Sequence, residues 1–232
     1  MAYEFVRRAD GLVMCRLDPQ EKAVVAQVAQ EVSDLIRADL GIGAQPPRVQ
    51  QAAASDDPLE RLEAEFAASG PRAPSDTAVQ RLFPAASEEA ELAAEFRRLG
   101  QQDLAESKLR ALGIVQRSID GAGPIRAEIV LDPESSAAWL TALNDMRLVL
   151  ADRLSLRRDD DIETLRMLRQ IENDADLSDV PGAPGTSLAE EHEGEDEEST
   201  VAGPDLVLAV YDLLTWLQES LVGVQAHDDP ER

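Results

Sequence analysis

The sequence is poor in the residues that enzymes use most for nucleophilic and general-base chemistry. Its 232 residues include two histidines and one cysteine. One cysteine cannot form an intramolecular disulfide, so a disulfide-stapled secreted domain is excluded and a reducing, cytoplasmic location is expected. His192 lies in an acidic run and His227 in a polar tail, where no preformed cleft is expected. We therefore predict a protein that is not an enzyme.

Glycine-rich phosphate loops and metal-ligand patterns are also missing. Neither G-x-G-x-x-G nor G-x-x-x-x-G-K-[ST] occurs, and residues 41–43 (Gly-Ile-Gly) are interpreted as a helix stop. Residues 159–161 are three aspartates without the spacing of a calcium loop, which favours an acidic helix N-terminus. The sequence therefore predicts neither a cofactor nor a metal.

Aromatic residues are scarce at 3%, whereas hydrophobic residues reach 44%. Leu, Val and Ala must therefore fill the core, and Leu and Ala are good helix formers. The N-terminus lacks the continuous apolar segment of a signal peptide. The most apolar stretch, residues 206–224, is interrupted by Asp212, Gln218 and Glu219. It is predicted to be a buried core helix, since charges inside a membrane are costly.

Negative charge dominates, with 46 acidic against 22 basic residues and a net charge of −24. Such a surface repels nucleic acid and anionic membranes within a Debye length of ~8–10 Å. Because phosphate contacts supply most of the affinity for DNA, direct DNA binding by this chain alone is not expected. Membrane association is not expected either.

The chain begins with the pattern of a β-hairpin and continues with helical patterns. Residues 3–8 and 12–17 flank an Asp-Gly turn signal, and residues 126–131 form a further candidate strand. Capping residues and apolar spacing predict the helices. The longer ones run from Asp18 to Gly41, from Ser87 to Ile119, from Asp132 to Leu154 and from Pro204 to Val224. Shorter ones run from Leu59 to Ala68, from Ser75 to Leu82 and from about Asp161 to Ile171.

Two of these helices show clear apolar faces. Leu92, Phe96 and Leu99 share one face of the helix from Ser87, which Gly100 either ends or bends. The helix from Asp132 carries Trp139 at the start of an apolar face that recurs to its end.

The fold class predicted is mainly α: a compact helical domain with a short N-terminal β-hairpin. Residues 173–203 are rich in Glu, Asp, Gly and Pro, and cannot bury enough apolar area to offset their ordering entropy. We expect them to be a disordered acidic insertion before the C-terminal core helix. Residues 1–172 and 204–224 would then form one discontinuous domain, followed by a polar tail at 225–232.

Cys15 is the candidate redox thiol. It lies between Met14 and Arg16 in the predicted hairpin, and Arg16 would lower the pKa of an exposed thiol. The apolar alternation around it favours the alternative of an unreactive packed cysteine.

A polar cluster is the second candidate. Asn144, Asp145 and Arg147 lie on one arc of the Trp139 helix, and Gln218 and Glu219 interrupt the apolar last helix. They are either a structural polar pair between two core helices or a contact to a partner or ligand.

Three stretches carry a family resemblance. They are DTAVQRLFP with ELAAEFRRLG (76–84 and 91–100), LDPESSAAWLTALNDMRLVLADRL (131–154) and VYDLLTWLQESLV (210–222). Together they resemble the actinobacterial domain-of-unknown-function family 2017. The match covers most of the chain outside the acidic insertion and the tail, and the runs at 139–148 and 214–219 are its most specific parts.

The resemblance implies regulation rather than catalysis. One family member is described as an oxidative-stress transcription regulator that acts with a stress sigma factor, and family genes tend to lie beside the Clp protease adaptor ClpS. The expected partner is therefore a sigma factor or RNA polymerase. An accessory or adaptor role in ClpS/Clp proteolysis is the alternative, an enzyme working through carboxylates is a third, and a homodimer also stays open.

The sequence departs from that regulator at one point. Its redox sensing is attributed to a C-x-x-x-C pair near the N-terminus, whereas Cys15 here stands alone. An intramolecular disulfide switch cannot form in this chain, so redox sensing is not carried over.

Overall fold

The computed structural model describes residues 3–43, 71–122, 128–156, 161, 167 and 204–226. These residues form a mainly helical fold with a small antiparallel sheet, which confirms the predicted fold class. The strands are β1 (Tyr3–Arg7), β2 (Val13–Arg16) and β3 (Glu128–Leu131). The helices are α1 (Pro19–Leu40), α2 (Thr77–Leu82), α3 (Ala90–Ala122), α4 (Pro133–Arg153) and α5 (Pro204–Ala226).

Some predictions lie outside the described residues. These include the predicted helix at 59–68, most of the one at 161–171, the acidic insertion at 173–203, both histidines and most of the aspartate run at 159–161. The domain boundaries stay a prediction, although α5 does contribute to the same apolar core as α1 and α4. Helix α5 itself runs to Ala226, two residues past its predicted end.

The sheet has the order β1-β2-β3 and is antiparallel throughout. The predicted hairpin turn is present, with Gly11 at φ 83°, a conformation that glycine adopts without steric cost. The hairpin gains a third strand, because β3 pairs with β2 with Cys15 opposite Ile129. The sequence indicated this strand but not its neighbour in the sheet. Ile129 and Leu131 are buried, so the pairing places both on the core side.

Helix α1 begins and ends at the predicted residues. The Glu21 amide donates to Asp18 Oδ1 and the Asp18 amide donates to Glu21 Oε2, each at 2.8 Å, which forms a reciprocal capping box. Gly41 ends the helix in the left-handed region at φ 70°. Both ends were predictable because their hydrogen bonds join residues close in sequence.

Helix α2 begins one residue later than predicted. Asp76, not Ser75, is the N-cap, and its carboxylate accepts the amides of Ala78 and Val79 at 2.8 and 3.4 Å. The Ser75 hydroxyl instead donates to Asp39 Oδ1, and the Ser75 amide donates to Asp39 Oδ2 at 3.0 Å. The Asp39 carboxylate near the end of α1 thus binds Ser75 in place of the capping contact that Ser75 was expected to make. This contact also ties the start of α2 to α1.

The core is organised around α4, which packs against α1, α2, α3 and α5. Trp139, Leu143 and Met146 are fully buried along its predicted apolar face. The ring of Phe5 on β1 meets Trp139 edge to face, with the ring centroids 6.0 Å apart. Helix α4 is therefore the central element that fixes the positions of the other helices.

Helix α5 lies at the side of the core. Leu214, Leu217 and Leu221 are buried against α4 and β1, but Leu206 and Val222 are 50% and 48% exposed. The predicted core helix thus buries one face only. By length and composition alone it would also pass for a membrane span, which is weak evidence for one, since core helices of soluble proteins pass the same test.

Candidate functional site

The Cys15 thiol is buried in the sheet. Burial, and secondarily the nearby charge of Glu21, raise the pKa of Cys15 to about 12. Arg16 points outward and pairs with Glu128 of β3, with 2.6 Å between Nη2 and Oε1. The thiol is therefore held in its protonated, unreactive form, which favours the packed alternative. A redox role for it stays a prediction.

The predicted polar cluster divides between two faces of α4. On one face, Lys108 of α3 donates to Asp145 Oδ1 at 2.7 Å, and both side chains are largely buried. Burial raises the pKa of Asp145, and the attraction of Lys108 offsets this only in part. Lys108 also lies 5.9 Å from the centroid of the Phe83 ring. This ion pair joins α3 to α4 next to the end of α2.

On the other face, Arg147 joins α4 to α5. It donates to Gln218 Oε1 at 2.7 Å and to the hydroxyl of Tyr211 at 3.2 Å, and its guanidinium lies 5.3 Å from the Tyr211 ring centroid. Asn144 and Glu219 are exposed. The Arg147–Gln218 geometry fits the structural alternative, while Asn144 and Glu219 stay available to a partner.

Ion pairs that the sequence did not indicate hold α2 on the end of α4. Arg81 Nε lies 3.2 Å from Asp152 Oδ1, and the same guanidinium donates to the carbonyl of Leu156 at 3.1 Å. Arg153 donates to Asp76 Oδ2 at 2.9 Å. These contacts fix the position of the segment that follows α2 and leads into α3.

The amino-terminal half of α3 presents large apolar side chains to solvent. Leu92, Phe96, Leu99 and Leu104 are 45%, 49%, 63% and 42% exposed. From Ala90 to Leu104 only Ala93 and Gln101 are buried. Contiguous apolar surface of this kind marks interaction sites on soluble proteins more often than scattered exposed leucines do.

A groove lies beside this exposed surface. We call it the α3 groove; Phe83, Pro84, Phe96, Arg97, Gly100 and Leu104 are among its lining residues, and its volume is about 240 Å³. Phe83 is buried and rests on Lys108, so the far wall is part of the packed core. The near wall is the exposed face of α3. The groove is thus mainly apolar, with Arg97 and Gln101 as its polar lining residues, and it is open to solvent.

Gly100 is one of the residues that line the groove. The helix continues through it, so Gly100 does not end the helix predicted from Ser87. A Cβ atom at this position would meet no described atom within 4 Å, and the backbone φ is not positive. Neither close packing nor backbone conformation requires glycine here, although glycine in a helix interior costs about 1 kcal/mol relative to alanine.

Acidic side chains surround the exposed surface of α3. Residues 88–106 contain six acidic and two basic residues, a net of −4, and all six acids are exposed. One of the two cations, Arg98, is engaged by Glu95 at 2.6 Å, and the other, Arg97, lines the groove. An incoming molecule therefore meets an apolar groove bordered by negative charge.

The described residues thus define an acidic, mainly helical protein with a small antiparallel sheet. Its longest described helix carries an apolar groove. The chain matches the model of the family described as Domain of unknown function (DUF2017) over residues 2–225, and it belongs to this family. No curated protein and no solved structure matches the chain.

The sequence did carry one signal for the groove. Leu92, Phe96 and Leu99 follow helical spacing, which was interpreted as an ordinary amphipathic face. Periodicity marks a side as apolar but does not say whether another element covers it. The Lys108–Asp145 pair had no comparable signal, because it joins residues of two different helices.

Proposed function

We propose that this protein is a non-enzymatic regulator that acts through protein–protein contacts in transcription or the stress response, in the cytoplasm. The observation that supports this most is the solvent-facing apolar surface of α3, formed by Leu92, Phe96, Leu99 and Leu104. A protein of net charge −24 gains solubility from its acids, so an apolar surface kept exposed in it is costly unless a partner covers it.

The assignment to transcription rests on family resemblance. The sequence resembles the actinobacterial oxidative-stress regulator AosR, which implies a sigma factor or RNA polymerase as the partner. The proposal does not include cysteine-based sensing, because Cys15 is single and buried. Any response to oxidative stress would then come through the partner rather than through a thiol of this chain.

Affinity purification from native cells tests the proposal. The bait proteins are the tagged wild type, a variant with Leu92, Phe96 and Leu99 all changed to Ser, and a control with Leu206→Ser and Val222→Ser on α5. All five positions are exposed, so the variants should fold alike. We expect mass spectrometry to find sigma factor or polymerase subunits with the wild type and the control but not with the α3 variant.

Two other results would change the conclusion. Recovery of ClpS or Clp ATPase subunits in place of polymerase would favour an accessory role in proteolysis. Recovery of no protein above the untagged background would contradict a role through protein contacts.

A further inference from the structure

We infer that the α3 groove binds a basic amphipathic helix of a partner protein, with Gly100 as the point of closest approach. This inference rests on the proposed function and names the surface and the chemistry of the partner. Two features of the groove carry it: a helix-interior glycine without a packing role, and apolar walls bordered by acids.

The glycine provides the first argument. Gly100 lies between Phe96 and Leu104, one helical turn from each, so the side chains on both sides leave an open notch at its Cα. A glycine in a helix permits another backbone or a large side chain to approach closely. On the same helix, a Cβ atom at Gly113 would lie 3.1 Å from Arg117 Nη1. Gly100 thus opens onto free space, as do Gly121 near the end of α3 and Gly223 on α5, but of these three only Gly100 lines the α3 groove.

The shape of the groove gives the class of ligand. Its far wall, Phe83 and Pro84, follows α2, which the Arg81–Asp152 pair holds on α4, so this wall is formed before any partner binds. The near wall is α3, whose helix continues without a break through Gly100. An apolar helix face laid along α3 would place one large side chain into the notch at Gly100, with others over Phe96 and Leu99. This is the anchoring pattern of helix-in-groove recognition.

The negative charge around the groove indicates that the partner helix is positively charged. Six exposed acids and two basic residues lie between positions 88 and 106. Glu89 and Asp103 continue the line of Leu92 and Leu99 at helical spacing, so they border the apolar surface at its two ends. Complementary charge steers association and rejects wrong partners. A second copy of this chain would bring the same acids to the contact, which disfavours self-association.

Direct binding of designed peptides tests the inference. The probe is a fluorescein-labelled helical peptide of about 18 residues with leucine on one face and lysine or arginine elsewhere, and the matched probe has glutamate in place of the cations. The proteins are wild type, Gly100→Phe, which fills the notch, and Val222→Phe, which adds the same ring at an exposed site on α5. Glycine replacement favours the helix, so Gly100→Phe should fold, as circular dichroism would verify.

We expect fluorescence anisotropy to show saturable binding of the basic peptide to wild type and Val222→Phe. Gly100→Phe should weaken it by about tenfold or more, the loss expected for a blocked central anchor, and the acidic peptide should not bind. Equal affinity of the basic peptide for all three proteins would mean diffuse charge attraction and would overturn the inference, as would equal binding of both peptides or no binding.

Two further measurements identify another occupant of the groove. A dimer in sedimentation equilibrium that Gly100→Phe dissociates would assign the groove to a second copy. A large drop in unfolding midpoint for Phe96→Ser would assign it to another part of this chain, because exposed positions rarely affect stability. Either result would overturn the inference. If the cellular partner co-purifies equally with wild type and Gly100→Phe, the proposed function stands and only this surface is wrong.

Discussion

The two halves of α3 carry apolar residues at the same helical spacing but lie in different surroundings. In the carboxyl-terminal half, Leu112 and Val115 are fully buried, within a helix that packs on α1 and α4. In the amino-terminal half, Leu92, Phe96 and Leu99 face solvent. The same periodicity therefore marks core residues in one half and solvent-facing residues in the other.

Helix length explains this difference. At 1.5 Å per residue, α3 with its 33 residues is about 50 Å long, whereas α1 with 22 residues and α4 with 21 are each just over 30 Å long. Among the described helices α3 is the longest, and its amino-terminal half extends past α1 and α4, which cover the carboxyl-terminal half. Lys108, paired with Asp145 of α4, lies between the covered and the uncovered half.

Removing Lys108 should have the largest effect on stability. Lys108→Ala leaves the Asp145 carboxylate buried without its partner, and loss of one member of a buried pair costs about 3–5 kcal/mol. Urea unfolding would measure this loss. The double variant Lys108→Met with Asp145→Leu is the control and should recover most of it. A single variant as stable as wild type would mean that the junction between the halves is not held by this pair.

Leucine truncation compares the two halves directly. Leu112→Ala removes a fully buried side chain and should cost about 2–5 kcal/mol, because it leaves a cavity in the core. Leu99→Ala, at 63% exposure, should stay within about 0.5 kcal/mol of wild type. Denaturant midpoints measure both. Similar losses for the two variants would break the comparison, since they would show that the amino-terminal half is also covered.

Acidification should reduce the loss caused by Lys108→Ala. Because the pKa of Asp145 is raised on folding, this group favours the folded state below its unfolded pKa, and that contribution is lost as the pH rises through the folded pKa. Without Lys108 the pKa of Asp145 is raised further, because only that cation opposes the effect of burial through its charge. The stability difference between wild type and variant should therefore shrink from pH 7 towards pH 5. A difference that grows on acidification would contradict this assignment of the buried charge.

A small gain in stability is expected at the glycines. Gly100→Ala should stabilise the protein by about 0.5–1 kcal/mol, since the new methyl group meets no described atom within 4 Å. Gly113→Ala should gain less, because Arg117 must move to accommodate the Cβ atom. Thermal unfolding of both variants compares the same Gly→Ala substitution in the two halves of α3. A loss of stability in Gly100→Ala would show that the notch is already filled.

Local features were predicted well. Asp18 and Glu21 cap α1, Gly41 ends it and Trp139 begins the buried face of α4, each as the sequence indicates. Hydrogen bonds between residues three apart and apolar periodicity are encoded over short distances, so a sequence window contains them. At α2 the predicted cap Ser75 gives way to its neighbour Asp76, while the Ser75 hydroxyl donates to Asp39, which lies 36 residues away.

The candidate site was predicted only in part. The pairing of Arg147 with Gln218 joins two residues already suspected from their position on apolar helices, whereas Lys108 was not singled out. Cys15 was open to two interpretations until the pairing of β2 with β3 placed it among core residues. The exposure of a side chain depends on which helices and strands pack beside it. That packing depends on contacts between residues distant in sequence.

By itself the sequence determined the mainly helical class, the ends of α1 and the acidic, apolar-faced character of α3, because composition, capping and periodicity act locally. Only the tertiary structure decided that β3 joins the hairpin, that Asp145 pairs with Lys108 and that, among the described residues, the apolar side chains in the amino-terminal half of α3 face solvent. These outcomes depend on the relative lengths and packing of helices distant in sequence. No local pattern records which part of an apolar face extends beyond its neighbours.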